Sequence, residues 1–241
     1  MKTTTASPLD ENSAGFDFWQ AVRDSGPILL GVVPFGITCG VMGLTAGLSA
    51  AEVVMMSAAV FAGASQFVSI NMLGAGISGL GIIIFTTLLI NLRHLLLGAS
   101  LAPYMIKTPI PMQALLAFWL TDEAYAVTVG RIHKVGYSMY YQLGAAAAIY
   151  IVWVLSTMLG VVAGSYIPDP LAWGLDFAMP ATFLVLLFPL LTNRVSLIVC
   201  IVAGITAVLV AMLLPGKWYI IIACVAATIT GGILEGGGKD A

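Results

Sequence analysis

Apolar residues run through this chain in long blocks, separated by short clusters of proline, glycine and charge. A bilayer core about 30 Å thick takes roughly 20 apolar residues per helix. On that scale the blocks predict spans at 27–48, 52–73, 77–102, 112–130, 140–165, 173–191, 195–214 and 217–234. Breakers stand between them: Gly74-Ala75-Gly76, Pro109-Ile110-Pro111, Pro168-Asp169-Pro170, Thr192-Asn193-Arg194 and Pro215-Gly216. The fourth and sixth blocks are the least regular, because Asp122-Glu123 and Asp176 interrupt them.

Composition agrees with the pattern. Of 241 residues, 60% are hydrophobic and 8% charged, with a mean hydropathy of +1.05. Soluble domains carry about a quarter charged residues, so the expected fold is all-α and polytopic, with about eight transmembrane helices. Residues 26–235 form one transmembrane domain, 1–25 a polar N-terminal segment and 236–241 a short tail. Lys2, Asp10, Glu11, Asp17, Arg23 and Asp24 crowd into that first segment. It lacks the basic start and apolar core of a signal peptide and reads as a flexible or interfacial cytoplasmic lead-in. A net charge of −2 gives no reason to expect a nucleic-acid partner. Cys39, Cys200 and Cys224 are far apart in apolar runs, with neither metal nor redox spacing. No metal and no cofactor is expected.

Loop cations set the direction of the spans. With eight spans and cytoplasmic ends, Lys2, Arg23, Arg131, Lys134, Arg194 and Lys239 lie inside, and Lys107 and Lys217 outside. If 112–130 failed to cross, the later loops would exchange sides and the bias would reverse. In the eight-span scheme Arg93 falls in the outer half of the third span, where a topogenic arginine is not expected.

Arg93 and His94 follow forty uncharged residues, Val53 to Leu92. At 3.6 residues per turn, Thr87, Asn91, His94 and Gly98 share one line, and Thr86, Arg93 and Ser100 a second. Two polar stripes on a Leu/Ile helix belong against protein or a wet cavity, because a lipid-facing arginine is costly. The acids available to answer them are Asp122, Glu123 and Asp176. Two spans also read as broken. Gly63, Ala64, Ser65 and Gln66 interrupt the second, and Pro180 interrupts the sixth near 178–181. The strings FAGASQF (61–67) and FAMPATF (177–183) share three residues, and Gly43, Ala46 and Gly47 match Gly160, Ala163 and Gly164. This is a faint internal repeat, and repeat-related breaks at mid-membrane point to a transporter's binding site.

The strings FAGASQF (61–67), INLRHLLLGASLAP (90–103), FWLTDEAYAV (118–127) and GLDFAMPATF (174–183) resemble the AzlC family, also called the YgaZ family. These are the large subunits of two-component branched-chain amino-acid exporters. The resemblance implies a bacterial inner-membrane efflux protein working with a small hydrophobic AzlD-type subunit. It implies leucine, isoleucine, valine, methionine and their analogues as substrates.

A zwitterionic substrate needs a partner for each of its charges. Helix N-termini at Ser65-Gln66 and Pro180-Ala181 suit the carboxylate, with Asn91 on the facing stripe. Asp176, or one of Asp122 and Glu123, suits the ammonium. Arg93, His94, Asp122, Glu123 and Asp176 form the candidate charge network for proton-linked transport, since no ATP-binding loop is present. A channel for a small ion or neutral solute would use the same stripes as a pore lining. A membrane-embedded enzyme fits less well, because HExxH, Cys–His and nucleophile-elbow patterns are missing. For the partner subunit, Gly144 to Ala148 and Ala203-Gly204 offer smooth helix faces.

Overall fold

The computed structural model describes residues 11–166, 193–214 and 218–236, with a few single positions from 184 to 191. Asp176, Pro180 and Ala181, and with them the predicted break at 178–181, lie outside the described residues. Every regular element among the described residues is a helix. The chain divides into two compact units, 1–176 and 177–241. The first holds α1 (Glu11–Asp24), α2 (Gly26–Thr45), α3 (Ala50–Ala59), α4 (Gly63–Gly74), α5 (Leu80–Met105), α6 (Ile110–Phe118), α7 (Asp122–Val135) and α8 (Met139–Tyr166). The second holds α9 (Arg194–Leu213) and α10 (Trp218–Gly236), packed on each other. Helices α2, α5, α8 and α9 are each long and apolar enough to cross a membrane.

The predicted second and fourth spans are each a pair of short helices. In the second, the chain leaves the helix at 60–62, and Gly63–Gln66 becomes the first turn of α4 rather than the break itself. Phe61 carries the turn at φ +46°, a left-handed conformation that costs a non-glycine residue about 1–3 kcal/mol. Its ring is buried, which holds it there. Gly63 makes room for a neighbour, since a Cβ at this position would stand 3.1 Å from the Trp153 ring.

The fourth span breaks at Trp119-Leu120-Thr121, a break the hydropathy pattern does not predict. The local chemistry accounts for it. Thr121 is extended and its hydroxyl accepts the Ala124 N–H at 3.2 Å, capping α7. Asp122 and Glu123 then occupy the first turn, where the helix dipole favours acids.

The framework is the crossing of α2 on α8. Added Cβ atoms at Gly36, Gly40 and Gly160 would come within 1.9 Å of Ser156 Oγ, 2.3 Å of the Thr157 carbonyl and 2.1 Å of the Ile37 carbonyl. Backbone therefore lies on backbone. Gly36 meets Ser156, Gly40 meets Thr157 and Val161, and Gly164 meets Val41 and Leu44. Numbers rise together along the contact, so the two helices run parallel. Parallel first and fifth spans require an odd number of crossings between them. Three crossings meet this condition, with both broken spans crossing, and so does one, with neither.

The N-terminal segment is not a flexible lead-in over residues 11–24. Helix α1 lies across α8, with Ala21, Tyr141 and Ala145 buried together. Asp17 pairs with Arg131 at 2.7 Å and accepts from the Ser138 hydroxyl, while Tyr141 donates to Asp24 at 2.7 Å. These contacts put α1 and the 131–138 connection on the same side of the bundle. They also correct the expectation that Gly144 to Ala148 form a face for another subunit. A Cβ on Gly144 would be 2.4 Å from the Phe18 carbonyl, and Ala145, Ala146 and Ala147 are buried within this chain. Small side chains there admit α1. On α9, a Cβ at Gly204 would meet nothing within 4 Å among the described residues.

Replacing Gly160 by leucine forces α2 and α8 apart. Overpacking costs about 1–3 kcal/mol where side chains can yield, and here the obstruction is backbone, so at least that loss is expected. Thermal unfolding in detergent should show a lower midpoint for Gly160→Leu and an unchanged one for Gly204→Leu.

Candidate functional site

Both broken spans meet one short stretch of α5. Ser65, in the first turn of α4, donates to Asn91 Oδ1 at 2.9 Å. Asp122, in the first turn of α7, pairs with Arg93 at 2.5 Å. His94 follows Arg93 on the same turn of α5 and is half-buried. Asn91 and Arg93 lie within one turn of α5, about 3 Å apart along the axis but pointing to different sides of the helix, so α5 stands between the two contacts.

The two polar stripes of α5 therefore have different partners. The Asn91 line faces α4. The Arg93–Ser100 line faces α7, where Ser100 also bonds the Tyr125 hydroxyl at 2.9 Å. Thr86, one heptad before Arg93, is buried. The opposite face of α5, with Leu88, Leu92, Leu95 and Leu96, is bare and suits lipid. Among the described acids, Asp122 is the one that answers Arg93. Glu123 is half-buried beside it on the same turn.

Arg93 and Asp122 retain 37% and 36% of their side-chain accessibility. The pair is thus not sealed in the core, and a polar solute or water can approach it. Arg93 Nε, by contrast, is buried with no hydrogen-bond partner. The two helix starts differ in charge. Ala62 gives α4 no side-chain cap, so the first-turn N–H groups leave a positive end. Helix α7 starts with two carboxylates. A positive end and a negative end are thus each held by a residue of one turn of α5, Asn91 and Arg93.

Gln66 sits differently from Ser65. It is 1% exposed, and its amide donates to Ser57 Oγ at 2.8 Å and accepts from Trp153 Nε1 at 3.2 Å. Ser57 in turn donates to Thr157 Oγ1 at 3.1 Å. This network ties α3, α4 and α8 together behind the site. Sequence reasoning missed three aromatic residues that hold the breaks. The Tyr150 ring lies 5.0 Å from Phe61, edge to face, and 5.1 Å from Trp119, stacked. Its hydroxyl bonds the Ala58 carbonyl at 2.9 Å, at the end of α3. One residue of α8 therefore clamps both interruptions. The hint available in the sequence was an aromatic just before each polar break, Phe61 and Trp119.

A family model described as AzlC protein matches residues 27–167, well over half of the chain. This chain belongs to the AzlC family. The match runs from α2 to α8 and so includes every contact of the site. Inner membrane protein YgaZ of Escherichia coli is 30% identical over 220 residues, 89% of this chain and 87% of that protein. An uncharacterized membrane protein of Archaeoglobus fulgidus is 35% identical over 172 residues, 70% of this chain and 74% of its own length. The branched-chain amino acid transport protein AzlC of Bacillus subtilis is 29% identical over 177 residues, 70% and 67% of the two chains. No solved structure matches the chain. The all-helical fold and these relatives make it a polytopic membrane protein of the AzlC family.

The Gln66 network gives a stability prediction distinct from function. Gln66→Leu leaves the Trp153 N–H without its acceptor, at about 1–3 kcal/mol for the orphaned group, while Ser57 keeps its bond to Thr157. Adding Trp153→Phe removes the orphan. Unfolding measurements should find the double variant less destabilised than the sum of its parts.

Proposed function

We propose that this AzlC-family chain is a secondary-active exporter of branched-chain and related apolar amino acids, leucine, isoleucine, valine and methionine among them. The observation that carries the reading is that two half-helix starts of opposite charge both contact one turn of α5, α4 at Asn91 and α7 at Arg93. A zwitterion places its carboxylate at the uncapped start of α4, by Ser65 and Asn91, and its ammonium at Asp122. The aliphatic side chain needs only ordinary apolar surface. One methylene is worth about 1–3 kcal/mol, so modest selectivity within this class is the expectation. Gln66 positions α4 behind this site; Asp176, Pro180 and Ala181, the other expected substrate contacts, lie outside the described residues.

Export is coupled to protons through His94, beside the Arg93–Asp122 pair, with Glu123 and Asp176 as further exchanging groups. Arg93 pairs with Asp122 until a substrate ammonium replaces it. The chain works in the inner membrane with both termini cytoplasmic, as the large subunit beside a small AzlD-type hydrophobic partner. The Ala203-Gly204 face of α9 is the smooth surface that remains for that partner. A channel would use the same polar residues. It is the less favoured reading because an ion pair across the path suits alternating contacts better than continuous conduction.

Proteoliposomes test this directly. Saturable leucine counterflow is expected, which a channel does not give. Asp122→Asn should lower counterflow at least tenfold. His94→Gln and Asp176→Asn should lose gradient-driven efflux while keeping exchange, and unchanged efflux in both removes the proton coupling.

A further inference from the structure

A second cavity lies at the far end of α7 from the Arg93–Asp122 pair, bounded by α1, α2, α7 and α8. It has a volume of about 520 Å³, within the roughly 300–1,000 Å³ of small-molecule sites. Its lining joins both signs of charge to aliphatic surface. Asp24 comes from α1, Arg131 and Lys134 from the last turns of α7, and Ile28, Val127 and Val135 supply the apolar part.

The charges there are only partly committed. Arg131 is fastened by Asp17 and by the Gly136 carbonyl at 3.1 Å, and its guanidinium stands 4.9 Å from the Tyr141 ring centre. Its Nε is buried without a partner. Asp24 accepts one hydrogen bond, from Tyr141, and neither Asp24 nor Lys134 joins an ion pair among the described residues. Lys134 is exposed, and its flexible four-carbon stem can reach into the cavity. A carboxylate facing two cations, with an aliphatic wall between, does not suit a phosphate, which Asp24 and Asp17 would repel. It suits a group carrying an ammonium and a carboxylate close together with an apolar substituent.

We propose that this cavity is an entry site that binds a free apolar amino acid before it reaches the centre of the bundle. The substrate carboxylate pairs with Lys134 in the field of Arg131, the ammonium with Asp24, and the side chain lies on Ile28, Val127 and Val135. The choice of amino acid rests on the transport reading above. The site itself rests on its own residues. Because α7 carries Asp122 in its first turn and Arg131 and Lys134 in its last, one helix contacts the substrate at both stations.

Cysteine protection separates the two sites. Ala126 lines the cavity and is exposed, so Ala126→Cys is introduced into the full chain with Cys200→Ser and Cys224→Ser. Leucine is expected to slow maleimide labelling at least fivefold. Lys134→Gln, a change at an exposed position, and Asp24→Asn should each remove most of that protection. Asp122→Asn should abolish counterflow but leave protection intact. Counterflow without leucine protection overturns the entry site alone, and protection without counterflow overturns the transport reading alone. Loss of protection in Asp122→Asn, or protection by inorganic phosphate or by phosphatidylglycerol nanodiscs in place of leucine, also overturns the entry site.

Discussion

The structure of the first unit depends on the close parallel crossing of α2 and α8. Water-driven burial contributes little between helices inside a membrane, so contact area at short range must hold them. Glycines at 36, 40 and 160 remove the side chains that would separate the two backbones. Everything that forms the site is mounted on this pair. Helices α3 and α4 join it through Ser57, Gln66, Trp153 and Thr157, and α1 enters over Gly144.

On that frame the interruptions of α3/α4 and α6/α7 become stable features. A helix broken in a membrane leaves backbone groups unpaired, which is tolerated only where protein or a wet cavity covers them. Tyr150 does this on one side, with Phe61 and Trp119 packed on its ring. Helix α5 does it on the other, with Asn91 and Arg93 reaching one helix start each. The interruptions are thus gripped from both sides. The Arg93–Asp122 pair remains about one-third accessible between them.

Helix α7 links the central contacts to the periphery. It starts at an ion pair with α5 and ends at an ion pair with α1. Gly136, at φ +104°, ends it, and Thr121 begins it in extended backbone. A short helix with a non-helical joint at each end and a charge contact near each end can tilt as one body.

Much of this was legible in the sequence because it is local. Span lengths follow from runs of apolar residues. The inward face of α5 follows from the spacing of Thr86, Asn91, Arg93 and His94. Even the missed break at 119–121 was written in Thr121-Asp122-Glu123, a cap followed by two acids. What each inward residue meets is not local. That Asn91 faces α4 while Arg93 faces α7, and that Gln66 bonds α3 and α8 while its equally buried neighbour Ser65 bonds α5, depends on how helices distant in sequence cross. So does the fate of Gly144 to Ala148, a smooth face equally fit for a partner or for α1. Periodicity assigns a residue to a face. Only the crossing of α2 on α8, set by glycine backbone contact, decides which neighbour that face receives.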